Sequence, residues 1–197
     1  MALVIVKEDG TGKADANSYA DVAVGDAYFE GHLYAPAWVA AAPGTKEKAL
    51  VFATRLIDVQ FQFYGTRANA DQALQWPRRD CPDPDEGGSV VTLVWWRADR
   101  CVAPDVVPKA VVQATCEMAR ELLIADRTAA PAGEGIQSER TSGYTRDSVG
   151  SAESSSASKT YSKTDSRPII THVAQAMLAK YGSPISSGSG AVRLVRT

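Results

Sequence analysis

Cysteine and histidine are scarce in this chain of 197 residues. The three cysteines, Cys81, Cys101 and Cys116, are too few and too widely spaced for a disulfide scaffold or a four-ligand zinc site. They suit a reducing compartment, and a single Cys81–Cys101 bridge stays open. The two histidines, His32 and His172, have no Cys or second His within four residues, so clustered metal ligation is not expected. Long hydrophobic runs are missing too: none approaches the ~18 residues of a membrane span. The opening residues lack a basic lead and a long apolar core, so no signal peptide is expected there. An excess of one charge sign is also lacking. With 21 Lys and Arg against 23 Asp and Glu, the net charge is −2, which excludes a protein that coats nucleic acid through charge alone.

What is present is ordinary for a folded domain. Hydrophobic residues make up 45% and charged residues 22%, which excludes wholesale disorder. The length suits one domain, or one domain with arms. Charge is uneven along it. Residues 1–137 hold 13 basic against 19 acidic side chains, and residues 138–197 hold 8 against 4. The basic C-terminal third is either a solvated face or a surface for a partner or nucleic acid.

Catalytic patterns fail on inspection. Gly10-Thr-Gly-Lys13 resembles part of a phosphate loop, but Lys7 and Ala14 stand where that loop needs Gly and Ser or Thr. A polar turn is the expected reading. No Gly-x-Ser-x-Gly elbow accompanies the histidines. Asp83, Asp85 and Glu86 lack the alternating ligands of a calcium loop, so a solvated acidic loop is expected. The chain is expected to be no enzyme and to hold no cofactor.

Periodicity predicts helices. Ser18 is a candidate N-cap for one that fades near Gly31. Thr45 is a candidate cap for the clearest, with Ala49, Phe52, Ala53, Leu56 and Phe63 on one stripe and Gly65 as its end. Trp38 falls in a connection. Pro108 opens a third helix, apolar on two faces, as expected of a helix between partners. Pro168 opens a fourth, ended by Gly182. Leu3–Val6 reads as a strand. Residues 138–166 offer too little apolar surface to offset an ordering cost of ~1–2 kcal/mol per residue, so order there would need a neighbouring chain. The fold expected is mainly α: a small four-helix body with a short N-terminal strand, an extended β-like excursion and a long polar C-terminal arm. The divisions are a body at 1–132 with the excursion at 80–104, an arm at 133–167, and a helix and tail at 168–197.

Aromatics beside arginines are the remaining signal. Trp76-Pro-Arg78-Arg79 and Trp95-Trp96-Arg97 place indoles next to guanidinium groups, as in proteins that stack single-stranded bases. The acidic composition of this half favours a core role for Trp76, with Arg78 and Arg79 meeting acidic neighbours. Adjacent Trp95 and Trp96 point to opposite faces of a strand. One of them is then exposed on a monomer, which argues for a partner surface.

Several stretches together resemble a phage family. They are Ala16-Asn-Ser-Tyr-Ala-Asp-Val-Ala with Ala27-Tyr-Phe, Lys46-Glu-Lys-Ala-Leu-Val-Phe-Ala-Thr-Arg-Leu-Ile-Asp58, Gln72-Ala-Leu-Gln-Trp-Pro-Arg-Arg79, Val107 to Ala119, and the closing Arg193-Leu-Val-Arg196. This looks like the family labelled DnaT-like single-stranded DNA-binding protein, and it is similar to the head–tail connector adaptors of tailed phages. The excursion at 80–104 and the Ser-rich arm are longer than that pattern. The adaptor resemblance implies a homo-oligomeric ring, twelvefold in many phages, beneath a portal protein in the virion neck. The ring surrounds the DNA channel, contacts a tail or head-closure protein, involves no membrane, and is assembled in the host cytoplasm. The family label implies instead a replication accessory that binds single-stranded DNA. Candidate interface residues are Trp76, Arg78, Arg79, Trp95, Trp96, Tyr144, Tyr161, Arg193 and Arg196.

Overall fold

A computed structural model of the chain describes residues 3–85, 101–129 and 168–185 in full, and the backbone of 138–146 and 152–160. The chain divides into two compact units, Met1–Arg127 with Ile169–Thr197, and Thr128–Pro168.

The larger unit is mainly helical. Among the described residues it has five helices: α1 (Val22–Glu30), α2 (Pro36–Ala40), α3 (Pro43–Gln60), α4 (Lys109–Ile124) and α5 (His172–Leu178). The expected four-helix body therefore gains a short fifth helix, α2, in the supposed connection around Trp38. Paired strands are short: β1 (Phe61–Phe63), β2 (Thr66–Arg67), β3 (Arg78–Arg79) and β6 (Gly182–Pro184). β1 pairs antiparallel with β6, and β2 with β3.

α4 is central and packs against both α3 and α5. Its two apolar faces are filled: Val111, Ala114, Thr115, Cys116, Met118 and Ala119 have no exposed surface. Small residues let α3 approach closely, with Ala53 and Ala114 both fully buried. Full burial of side chains such as Leu50, Ile57 and Met118 stabilises by about 1.5–3 kcal/mol each.

Helix ends differ from expectation in instructive ways. Asp21, not Ser18, caps α1; its side chain accepts from Val24 N at 2.8 Å. Ser18 is used elsewhere, in a parallel bridge to Lys7 and a hydrogen bond from its hydroxyl to Ala20 O. α3 begins at Pro43 rather than Thr45, because a proline at the first helical position loses no bond. It stops at Gln60, before Gly65, since Phe61 is already extended and the chain enters β1. Phe63 is buried, but on a strand rather than the helical stripe. α5 begins at His172, capped by Thr171 rather than opened by Pro168. It stops at Leu178, and Gly182 lies opposite Phe63 in the β1–β6 pair. Leu3–Val6 forms no strand. Its Val6 is instead tied to Asn17.

The excursion is closed at its base by an antiparallel bridge between Pro82 and Cys101, with Val102 N donating to Cys81 O at 2.9 Å. No disulfide joins Cys81 and Cys101; both are thiols.

The second unit contains a hairpin where a polar arm is expected. β4 (Ser138–Arg146) and β5 (Ala152–Thr160) pair antiparallel through nine residues each, from Ser138↔Thr160 to Arg146↔Ala152.

Candidate interaction surfaces

The Trp-Pro-Arg-Arg segment is the first candidate. Trp76 precedes a cis peptide bond to Pro77 and has no exposed surface. Its ring packs edge-on against Phe63 and Tyr181, with centroids 5.7 and 5.9 Å away. Arg78 is buried, and its guanidinium is consumed by the chain itself. Nε donates to Tyr64 O at 2.6 Å, Nη1 to Gln75 O and Oε1, and Nη2 to Phe63 O and Gly65 O. Five N–H groups are all a guanidinium has, so none is left for a phosphate. Its partners are carbonyls rather than the acidic neighbours expected. Arg79 is exposed, opposite Thr66. Trp76 and Arg78 thus stabilise the core, and neither presents a face to a base or a partner.

Trp95, Trp96, Tyr161, Arg193 and Arg196 lie outside the described residues. Tyr144 lies on β4 opposite Ser154, with its backbone alone described.

Gly10-Thr-Gly-Lys13 does form a cradle of amides, but it holds this chain's own carboxylate. Glu8, nearly fully buried, accepts from Gly10 N and Gly12 N at 2.9 Å and from Lys13 N at 2.8 Å. Gly10 has φ +105° and lies against Asp105 O, where a Cβ would sit 1.8 Å away. The loop is a structural turn, not an anion site. The sequence signal was a Glu two residues before a Gly-x-Gly-Lys run.

Two buried polar clusters escaped sequence reasoning. In one, Asp58 joins Tyr19 and the backbone of Gln75, at 2.6 and 3.1 Å. Burial lifts the Asp58 carboxyl to about 6, against hydrogen bonds from Tyr19 and Gln75 that pull it down. In the other, Glu117 on α4 accepts from Tyr28 Oη at 2.8 Å and Arg120 Nε at 3.1 Å, with His32 Nε2 3.4 Å away. His32 is thus a partner of this cluster as well as a residue just past α1. Burial pushes the Cys81 and Cys116 thiols up to about 11 and about 12, so neither is a ready nucleophile. Asp85 in the acidic loop pairs with Lys180 at 3.0 Å. Among the described residues no group of His, Cys, Asp and Glu could hold a metal ion.

A surface groove is a further feature. A groove of about 450 Å³ runs between α3 and the C-terminal end of α4, with an apolar floor that includes Phe52, Leu122 and Leu123. Lys48 and Arg55, both exposed, line it as well.

The described residues define a small, mainly helical domain whose polar clusters serve its own core and whose surface carries an open apolar groove. The chain belongs to the family described as "Putative DnaT-like ssDNA binding protein", whose model matches residues 1–197. No curated protein and no solved structure matches it.

Proposed function

We propose that the chain is a structural subunit acting in multiple copies: the head–tail connector of a tailed phage, forming a ring beneath the portal around the DNA channel and meeting a tail or closure protein. The β4–β5 hairpin carries this reading. Its two nine-residue strands are Ser, Thr, Gly and charged residues with few apolar ones, and among the described residues each strand pairs only with the other. A lone two-stranded ribbon without an apolar face is marginal in water, and its open edges are templates for pairing. A neighbour supplies what such a ribbon lacks. The internal use of Trp76 and Arg78, the open groove and the acidic balance of residues 1–137 agree with this reading. It needs no catalytic residue and no cofactor. It places the protein in the virion neck, touching DNA without sequence preference.

The test is to mix the purified chain with portal rings and image the mixture by electron microscopy. The chain alone is expected to be monomeric or weakly associated, and to add a ring of density in register with portal. Portal rings that stay bare at saturating chain would sink the connector reading.

The family description favours a second reading, a replication accessory that binds single-stranded DNA. With Trp76 buried, base stacking falls to Trp95 and Trp96. This reading requires oligonucleotide binding that weakens steeply with salt and quenches those indoles. Unchanged fluorescence at low salt would remove it.

A further inference from the structure

The turn between α1 and α2 carries two large side chains that bury little. Leu33 is 89% exposed and Tyr34 74%. Packing therefore does little to fix them, and the entropy lost in ordering this backbone has to be offset by hydrogen bonds. His32 N donates to Phe29 O at 3.1 Å, and Tyr34 N donates to His32 Nδ1 at 3.0 Å. Arg120 Nη1, reaching across from α4, donates to Tyr34 O at 2.9 Å.

The bond to Nδ1 sets the state of the imidazole. A backbone N–H only donates, so Nδ1 has to offer a lone pair and the ring's one proton sits on Nε2. That nitrogen faces Glu117 Oε1, a buried acceptor 3.4 Å away. Both contacts thus select the same neutral tautomer. The second proton of an imidazolium enters at Nδ1, through the lone pair that Tyr34 N–H occupies. The bond and the charged ring exclude each other. We infer that His32 is a pH-sensitive latch: protonation of Nδ1 breaks the bond to Tyr34 N and frees the Leu33–Tyr34 turn.

The surroundings admit that proton. From α4, the ring is faced by the Glu117 carboxylate and by Arg120, whose Nε lies 3.1 Å from Glu117 Oε2. Glu121 pairs with Arg120 at 2.8 Å and with Arg127 at 3.9 Å, so two acids meet two arginines here. From α1 come Tyr28, whose Oη donates to Glu117 Oε1, and the Phe29 ring, edge-on with centroids 5.7 Å apart. Glu30, also at this end of α1, is exposed. Glu117 favours an imidazolium and Arg120 opposes it, and the ring is partly open to solvent. Acid leaves the Nε2 contact with Glu117 and the Arg120 bond to Tyr34 O in place. The release is therefore confined to the turn, and α1 and α4 stay as they are. The latch does not depend on the assembly reading above.

Nuclear magnetic resonance of the full chain tests it. Long-range proton–nitrogen correlations read both ring nitrogens of His32, with His172 as the internal comparison. Hydrogen exchange, expressed as protection relative to the unstructured rate at each pH, reads the Tyr34 amide. Both are followed from about pH 8 to about pH 5, the range in which histidine ordinarily titrates. At the high end His32 is expected to carry its proton on Nε2. On acidification Tyr34 protection is expected to fall roughly three- to tenfold, the worth of one neutral hydrogen bond, with the same midpoint as the His32 ring. His32→Asn keeps an acceptor two residues before Tyr34 N, as in an Asx-turn, and does not titrate. Its protection is expected to stay level. His32→Ala is expected to be weakly protected throughout. A proton on Nδ1 at the high end would overturn the inference. So would a ring that keeps one state across the range, or Tyr34 protection that ignores the ring's titration. An equal fall in His32→Asn would assign the effect to another group and overturn it as well. The wild-type measurements decide the matter even where a variant folds poorly.

Discussion

Tyr19 Oη donates a 2.6 Å hydrogen bond to Asp58 Oδ1 and accepts one from Trp76 N at 3.2 Å. One phenol thus ties the segment before α1, the C-terminal half of α3 and the loop that carries the buried indole. Burial and the neighbouring Asp58 charge raise the Tyr19 phenol well above its usual range, so it stays a donor.

The burial of Asp58, which outweighs this hydrogen bond, makes stability depend on pH in an unusual direction. The Asp58 carboxyl titrates near 6 in the folded chain, against an ordinary value of 3.8. Between these values the folded state holds a proton that the unfolded chain has released, so stability falls as pH rises through that window. At about 1.4 kcal/mol per pH unit of difference, the loss is on the order of 3 kcal/mol. Urea denaturation of wild type and Asp58→Asn from pH 4 to pH 7 checks this. The variant is expected to be less stable at pH 4 and to lack most of the downward slope. An identical slope in both proteins contradicts the assignment to Asp58.

The Glu117 cluster predicts a large cost for a side chain that looks like an ordinary helical glutamate. Glu117→Ala leaves Arg120 and Tyr28 without their buried acceptor, a loss of about 3 kcal/mol. Glu117→Gln keeps an acceptor for Tyr28 and is expected to cost about 1–2 kcal/mol. Thermal or chemical denaturation separates the two. Equal effects of Ala and Gln would mean that the carboxylate charge decides, and that neither side-chain volume nor a neutral acceptor for Tyr28 offsets its loss.

The legible parts of the fold were those set by apolar spacing. The burial of Ala49 and Ala53 on α3 and the two-sided burial of α4 follow from residues three and four apart. Capping was less legible because Ser18, Asp21 and Thr45 are all competent, and tertiary contacts decide among them. Ser18 is taken by a bridge, so Asp21 caps. Pro43 reaches the first turn before Thr45. The core role of Trp76 was readable from the acidic surroundings, but the fate of Arg78 was not. Five acceptors from residues 63–65 and 75 converge on it only after β2 and β3 fold the chain back. Glu8, Asp58 and Glu117 were missed for the same reason, since their partners are distant in sequence or are backbone amides. The groove was hidden because Phe52 lies on a stripe that otherwise reads as core.

Gly25 on α1 is predicted to be irreplaceable for reasons of space. A Cβ there would lie 2.4 Å from Trp38 Cζ2. The indole cannot retreat: it is 1% exposed, and its Nε1 donates to Asp26 Oδ1 at 2.8 Å. Lys46 also sits 5.1 Å above the ring. Gly25→Ala is expected to cost about 1–3 kcal/mol by overpacking. Adding Trp38→Phe should cost less in that background than in wild type, which a double-mutant cycle measures. Additive costs would show that the close approach is not the cause.

Trp76 offers a spectroscopic check that bears on both functional readings. An indole with no exposed surface emits at short wavelength and is shielded from soluble quenchers. A chain retaining Trp76 as its sole tryptophan, with Trp38, Trp95 and Trp96 changed to Phe, is expected to show that blue-shifted emission. The emission should stay unchanged on adding single-stranded oligonucleotide at low salt. Trp76→Ala is expected to destabilise by about 3–5 kcal/mol, as for any large core aromatic. That loss, with emission indifferent to DNA, assigns the segment to the core. Emission that is red-shifted, or quenched by oligonucleotide without unfolding, would mean the ring leaves its place between Phe63 and Tyr181. It would return the Trp-Pro-Arg-Arg segment to the candidates for base stacking.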